Sequence, residues 1–168
     1  LLMAGSNATN FNPSFKGSPY NALMFLVENA IAGRVNTMVP VRVVSVDSGG
    51  ANSPTGTVNV RPLVTQKDGN GNMIGVSELY HLPYSRIQGG VAALVIDPLP
   101  GDMGIAVFAQ QDTSTITKDT QEPILPSTYM AFPMSSGWYI GGFLNQTPSV
   151  YVEVQQSAIV INAQSDVT

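Results

Sequence analysis

The chain has 168 residues, of which 43% are hydrophobic and 11% charged, with seven basic side chains against eleven acidic ones and a net charge of -4. Ordinary soluble domains carry roughly 25% charged residues, so copies of this chain are poorly kept apart by repulsion and an extensive protein contact is expected. No basic cluster offers nucleic acid an electrostatic grip, the absence of cysteine excludes disulfides and thiolate nucleophiles, and no apolar run reaches the length of a membrane-spanning helix.

The opening, Leu1 to Pro19, is rich in Asn, Gly, Ser and Pro and reads as an arm that needs a neighbour to hold Phe11 and Phe15 down. LLMAGS has no positively charged lead-in and does not resemble a signal peptide. Pro19 to Arg34 carries the helical pattern: Leu23, Leu26, Val27, Ala30, Ile31 and Arg34 recur at three- and four-residue intervals, and Gly33 suits the end. A helix this short is marginal alone and is expected to dock on something. An amphipathic membrane anchor is the rival reading, but Arg34 is the segment's only basic residue, which favours protein packing.

From Met38 the period changes. Met38 to Val46 and Thr57 to Val64 alternate as strands around the Gly-rich DSGGANSPTG, predicting a hairpin; DGNG at 68–71 supplies a second turn before Met73 to Leu82. The apolar runs Val91 to Ile96 and Gly104 to Ala109 flank DPLPGD, where Pro98 and Pro100 cannot donate to a ladder and Gly101 can take a positive φ. That pattern predicts a buried strand, a constrained turn and a second strand. After polar residues 118–127 comes YMAFPMSSGWYIGGF at 129–143, too broken for a single strand and read as a loop that packs Trp138 and Tyr139 on the barrel or on another chain. Val150, Val152 and Val154 then share a strand face, and Ile159 and Ile161 resume the alternation to the end, which reads as a strand pattern cut short.

Together these elements predict an all-β fold: a small closed or partly open antiparallel β-barrel with one N-terminal helix. The expected division is an arm and docking helix over 1–37, the barrel over 38–128, an aromatic Gly-rich interface segment over 129–148, and a C-terminal segment over 149–168.

VPVRVVSV at 39–46, GTVNVRPLV at 56–64, the DGNG turn, LPYSRIQGG at 82–90 and IDPLPGDMGIAVFAQQDTS at 96–114 resemble the N-terminal barrel of the central-spike, membrane-piercing family of contractile-tailed phages. The resemblance implies a homotrimer in which each chain gives an oligonucleotide/oligosaccharide-binding-type barrel, and in which 149–168 begins an intertwined β-helical shaft that is truncated here. It implies phage baseplate or tail-tube proteins as partners, the host outer envelope as target, synthesis in the host cytoplasm and residence in the virion's tail baseplate. Members often hold iron in a His-X-His tip; this chain has only His81, so the resemblance places any iron beyond residue 168 and no cofactor within the chain.

Catalytic constellations are hard to assemble. His81, beside Tyr80 and near Glu78, is available as a base, but one histidine without a motif favours a surface or interface role. Asp97 and Asp102 bracket PLPG; a carboxylate pair for metal or glycoside chemistry is one reading, and side chains that accept turn N–H groups and hold the Pro98 to Gly101 corner is the other. DGNGN lacks the other ligands of a calcium loop, and the Gly-Gly pairs match no phosphate-binding pattern. No enzyme is predicted. Asp97, Pro100, Gly101, Asp102, Trp138, Tyr139 and Phe143 stand as structural or interface candidates. The leading expectation is a tail spike that transmits contraction force and binds no nucleic acid. A carbohydrate-binding β-barrel using Trp138 and a non-catalytic fragment of a phage cell-wall hydrolase are the alternatives.

Overall fold

A computed structural model describes residues 18–49, 55–65 and 70–163. The arm with Phe11 and Phe15, part of the DGNG turn and the end of the C-terminal segment, residues 164–168, lie outside the described residues. The helix α1 spans Pro19–Arg34, with proline in its first turn, where a missing N–H costs nothing. It stops when Val35, in extended conformation, donates its N–H to Ile31 O. None of its described side chains is buried, and Leu23, Leu26 and Ile31 are each more than half exposed. The expected docking of this helix is therefore not made on its own barrel. No helix among the described residues is long and apolar enough to cross a membrane.

The remainder is mostly β. Strand β1 (Met38–Asp47) lies at the centre of a five-stranded sheet. On one side it pairs antiparallel with β2 (Thr57–Pro62), which pairs with β3 (Leu79–Pro83). On the other side lies β6 (Met103–Val107), followed by β7 (Trp138–Gly141). Two short hairpins stand apart from this sheet: β4 (Ile87–Gly89) with β5 (Ala92–Leu94), and β8 (Tyr151–Val154) with β9 (Ile159–Asn162).

The sheet is curled into an antiparallel half-barrel. Its register shifts between Val43 and Ser45 of β1 and between Val58 and Val60 of β2, and such irregularities bend a strand and raise its twist. Curling brings the two edges together just past β3, where Tyr84 forms a parallel bridge with Tyr139 of β7. Inside lie Val41, Val43, Val58, Val60, Leu82, Ala106 and Phe108, with the rings of Tyr84 and Tyr139. The alternation in β1 and β2 thus selects the inward face: each buried valine is worth about 1.5–3 kcal/mol relative to exposure.

Two sequence expectations are corrected here. Val91 to Ile96 is neither buried nor paired with the strand after DPLPGD: β5 within it folds back on β4, and all of it is exposed. The DPLPGD corner instead docks on β1, where Val43 N–H donates to Asp102 O at 2.8 Å and Gly101 N–H to Val43 O at 2.9 Å. Proline-rich 96–102 cannot extend a ladder, so the chain turns before β6 rather than pairing across the corner. The second correction concerns 129–143, read as a loop that packs Trp138 and Tyr139 on the barrel or on another chain. Residues 138–141 within it form strand β7, and Tyr139 is buried within its own chain. Aromatic and β-branched residues between glycines make a short edge strand that the glycine content conceals.

The long connection from β6 to β7 is tied down by Asp112. Its carboxylate accepts from the Ser114 N–H at 2.9 Å and from the Ser127 and Thr128 hydroxyls at 2.8 Å each, closing a polar loop of fifteen to sixteen residues' separation. These bonds, the Ser114 N–H first, hold the carboxyl well below the usual carboxylate range. A 3-10 turn at Met134–Ser136 then leads into β7, held by the Thr113 hydroxyl donating to Ser136 O at 2.7 Å.

Candidate functional site

Among the described residues, a group of charged and polar side chains meets under the base of the β4–β5 hairpin. Arg86 precedes β4 and Asp97 follows β5, so hairpin pairing brings them together across eleven residues. Arg86 donates to Asp97 Oδ1 through Nη2 at 2.8 Å and through Nε at 3.2 Å. The Tyr84 hydroxyl donates to the same oxygen at 2.7 Å, and Arg86 lies over the Tyr84 ring at 5.7 Å from its centroid. The Arg86 side chain is 3% exposed and that of Asp97 23%, so this is a largely desolvated pair.

Electrostatics follow from that geometry. The Tyr84 hydroxyl, and then Arg86, hold the Asp97 carboxyl below its ordinary value. Burial, and then the bond to Asp97, push the Tyr84 phenol up. Asp97 is thus a fixed anion, and Arg86 is its committed counter-charge.

Beside this network is a cavity of about 340 Å³ between the hairpin base and the end of β7. Asp97, Asp102, Tyr139 and Asn145 contribute its polar wall, and Ile87, Leu94 and Ile96 its apolar one. Asp102 accepts the Leu99 N–H at 2.8 Å, and its own N–H donates to Leu99 O at 3.0 Å. Pro100 and Gly101, the latter at φ +100°, occupy the middle of that tight turn, where proline presets the first φ and glycine admits the positive one. Asp102 therefore has the corner-holding task read from the sequence, whereas Asp97 is drawn away to Tyr84 and Arg86.

Tyr139 is the unusual member. Its ring packs against Gly104 on the neighbouring strand, where a Cβ would stand 2.5 Å from the ring. Its hydroxyl is buried with no hydrogen-bond partner among the described residues, an arrangement that costs about 1–3 kcal/mol. Burial first, and the nearby Asp102 charge second, push this phenol up to about 12.

The other sequence candidates lie apart. Trp138 is 38% exposed on β7 opposite Val107, and Phe143 is exposed, its N–H donating to Met103 O at 3.3 Å; neither lines this cavity. His81 sits in β3 with a left-handed backbone at φ +58°, its N–H given to Asn59 Oδ1. Glu78 pairs with Arg61 at 2.6 Å. Among the described residues, no three His, Cys, Asp or Glu side chains gather into a possible metal site. A second cavity of about 330 Å³ lies where α1 joins β1, lined by Val39, Val64, Val76 and Phe108 among others. Tyr84 and Arg86 are available in the sequence as an aromatic and a basic group for a binding barrel, but nothing in it joins them to Asp97; the only signal is an arginine placed at the foot of an apolar hairpin.

One further surface stands out. In the β8–β9 hairpin, Val152 faces Ile161 and Val154 faces Ile159, giving one face made only of β-branched aliphatic side chains. These are 63%, 59%, 77% and 68% exposed, respectively. No family model matches the chain, and no curated protein matches it.

Proposed function

We propose that the chain is a structural spike protein of a contractile tail, a barrel hub that assembles as a homotrimer and passes contraction force to the tip that pierces the host envelope. The observation that carries this reading is the β8–β9 hairpin. Two strands alone are marginally stable in water, and an aliphatic face that no described residue of its own chain covers needs a neighbour. Glu153 is the hairpin's only charged residue and lies on the other face, so no charge on the aliphatic face opposes the approach of an identical copy.

The rest of the fold supports the hub. The order β3-β2-β1-β6-β7, with β1 paired on both sides and a parallel contact joining the edges, fits the plan of a five-stranded barrel of oligonucleotide/oligosaccharide-binding type. In this reading the barrel is the rigid body, β8–β9 begins the shaft, and α1 docks on baseplate or tail-tube proteins through its exposed leucines. Strand pairing between copies carries the axial load, and the catalytic role is nil. Immunogold labelling of contractile particles that carry the chain tests the assignment. Label at the baseplate tip is the expected result; particles without the chain, or label elsewhere on them, would overturn it.

A further inference from the structure

The geometry points to the cavity beneath the β4–β5 hairpin as a binding site for a neutral sugar, one pyranose ring in size. This site is independent of the assembly reading. Its hydrogen-bonding groups are only partly used. All three donations to Asp97 fall on Oδ1, and Oδ2 receives none among the described residues. Asn145 Oδ1 accepts the Met103 N–H at 2.8 Å, while its Nδ2 makes no bond among them. The Tyr139 hydroxyl, buried and without a partner among the described residues, can both donate and accept. A Cβ at Gly141 would stand 3.2 Å from the hydroxyl oxygen and Gly142 follows at φ +93°, so a ligand in the cavity reaches the hydroxyl as this glycine backbone gives way.

An acceptor, a donor and a dual group in one lining match a ligand that carries adjacent hydroxyls. The apolar part of the lining, Ile87, Leu94 and Ile96, suits the C–H face of a sugar ring. Charge selects against other ligands. Anions meet Asp97 and Asp102, and the one cation of the site, Arg86, is already engaged. A cation, in turn, would have to enter beside that buried guanidinium. Keeping a buried hydroxyl unpaired lowers the stability of the free protein, and such a defect is what a binding site retains for its ligand.

Amide chemical shifts of the full chain, titrated with the methyl glycosides of glucose, galactose, mannose and N-acetylglucosamine, test the site. At least one glycoside is expected to move the amides of residues 84–87, 94–98 and 139–145. Tyr139→Phe is expected to weaken that sugar by about tenfold or more while melting at the same or a higher temperature. Leu94→Trp, a change at an exposed position on the apolar wall, is expected to block it without touching the buried network. The proposal is overturned if no glycoside moves these amides at tens of millimolar, or if Tyr139→Phe binds equally well. It is also overturned if Tyr139→Phe melts lower, since the hydroxyl would then serve the fold, or if arginine methyl ester binds there and the sugars do not.

Discussion

Ser85 donates its backbone N–H to the carbonyl of Tyr139 at 3.0 Å, and this bond, beside the Tyr84–Tyr139 bridge, joins the two edges of the five-stranded sheet. A half-barrel with open edges would present two rows of unpaired backbone groups, with few charges nearby to discourage edge-to-edge pairing. Removing the donor tests how much the closure contributes. Ser85→Pro is expected to cost about 1 to 3 kcal/mol in chemical unfolding. Ser85→Ala keeps the N–H and removes only an exposed side chain, so its unfolding midpoint should stay at that of the parent.

The packing of Tyr139 against Gly104 makes a sharper steric claim. Alanine at 104 would set its Cβ 2.5 Å from Ile140 O and from the Tyr139 ring, both in a strand that is already paired. Gly104→Ala is expected to destabilise the barrel by about 1 to 3 kcal/mol. Gly75→Ala is the matched control, because nothing lies within 4 Å of its added carbon. Its stability should be unchanged or raised by up to about 1 kcal/mol.

Two arginine pairs of similar length differ in surroundings. Arg61 reaches Glu78 at 2.6 Å with its side chain 63% exposed, whereas Arg86 reaches Asp97 from a nearly closed position. Arg61→Met should therefore cost less than about 1 kcal/mol. Arg86→Met leaves Asp97 without its counter-charge in a partly desolvated site and should lower the melting temperature by a clearly larger amount.

Acid should act through the same carboxylate. The Tyr84 hydroxyl and Arg86 depress the folded value of Asp97, so the unfolded chain takes up its proton first as pH falls. The stabilisation is complete above the ordinary carboxylate value, about 3.9, and is lost as pH falls through the lower folded value. Asp112 contributes with the same sign, through its bonds to Ser114, Ser127 and Thr128. Melting curves between about pH 6 and pH 2 should show Asp97→Asn and Asp112→Asn less stable than the parent at the upper end, with the gap closing toward the lower end.

Sequence periodicity located elements better than it located partners. Val41, Val58 and Val60 alternate with polar or proline neighbours, Val43 with Arg42 and the exposed Val44, and all four are buried as that alternation requires. The helix begins at Pro19 as read and ends at Arg34, one residue past the glycine that suited its end. Alternation carries no information about which strand lies alongside, and the pairing of β5 with β4 rather than across DPLPGD was hidden for that reason. Strand β7 was hidden by its glycines. The closest signal was Gly104, a glycine inside an apolar strand, which marks a place where something approaches the backbone; here it is the Tyr139 ring. Asp97 finds its partners eleven and thirteen residues away, a separation that local patterns do not resolve.

A charge on the aliphatic hairpin face separates folding from assembly. Val152→Lys with Ile161→Lys puts two like charges directly opposite each other on an exposed face, outside the barrel core. The variant is expected to lose self-association while the barrel's unfolding transition, read from the near-ultraviolet signal of Trp138, stays in place.

The central claim is that copies of this chain cover the hairpin face, and the native mass of the parent chain tests it most directly. Light scattering coupled to size exclusion at low micromolar concentration should return three times 17.8 kDa. A single species at 17.8 kDa, with the barrel folded, would contradict it.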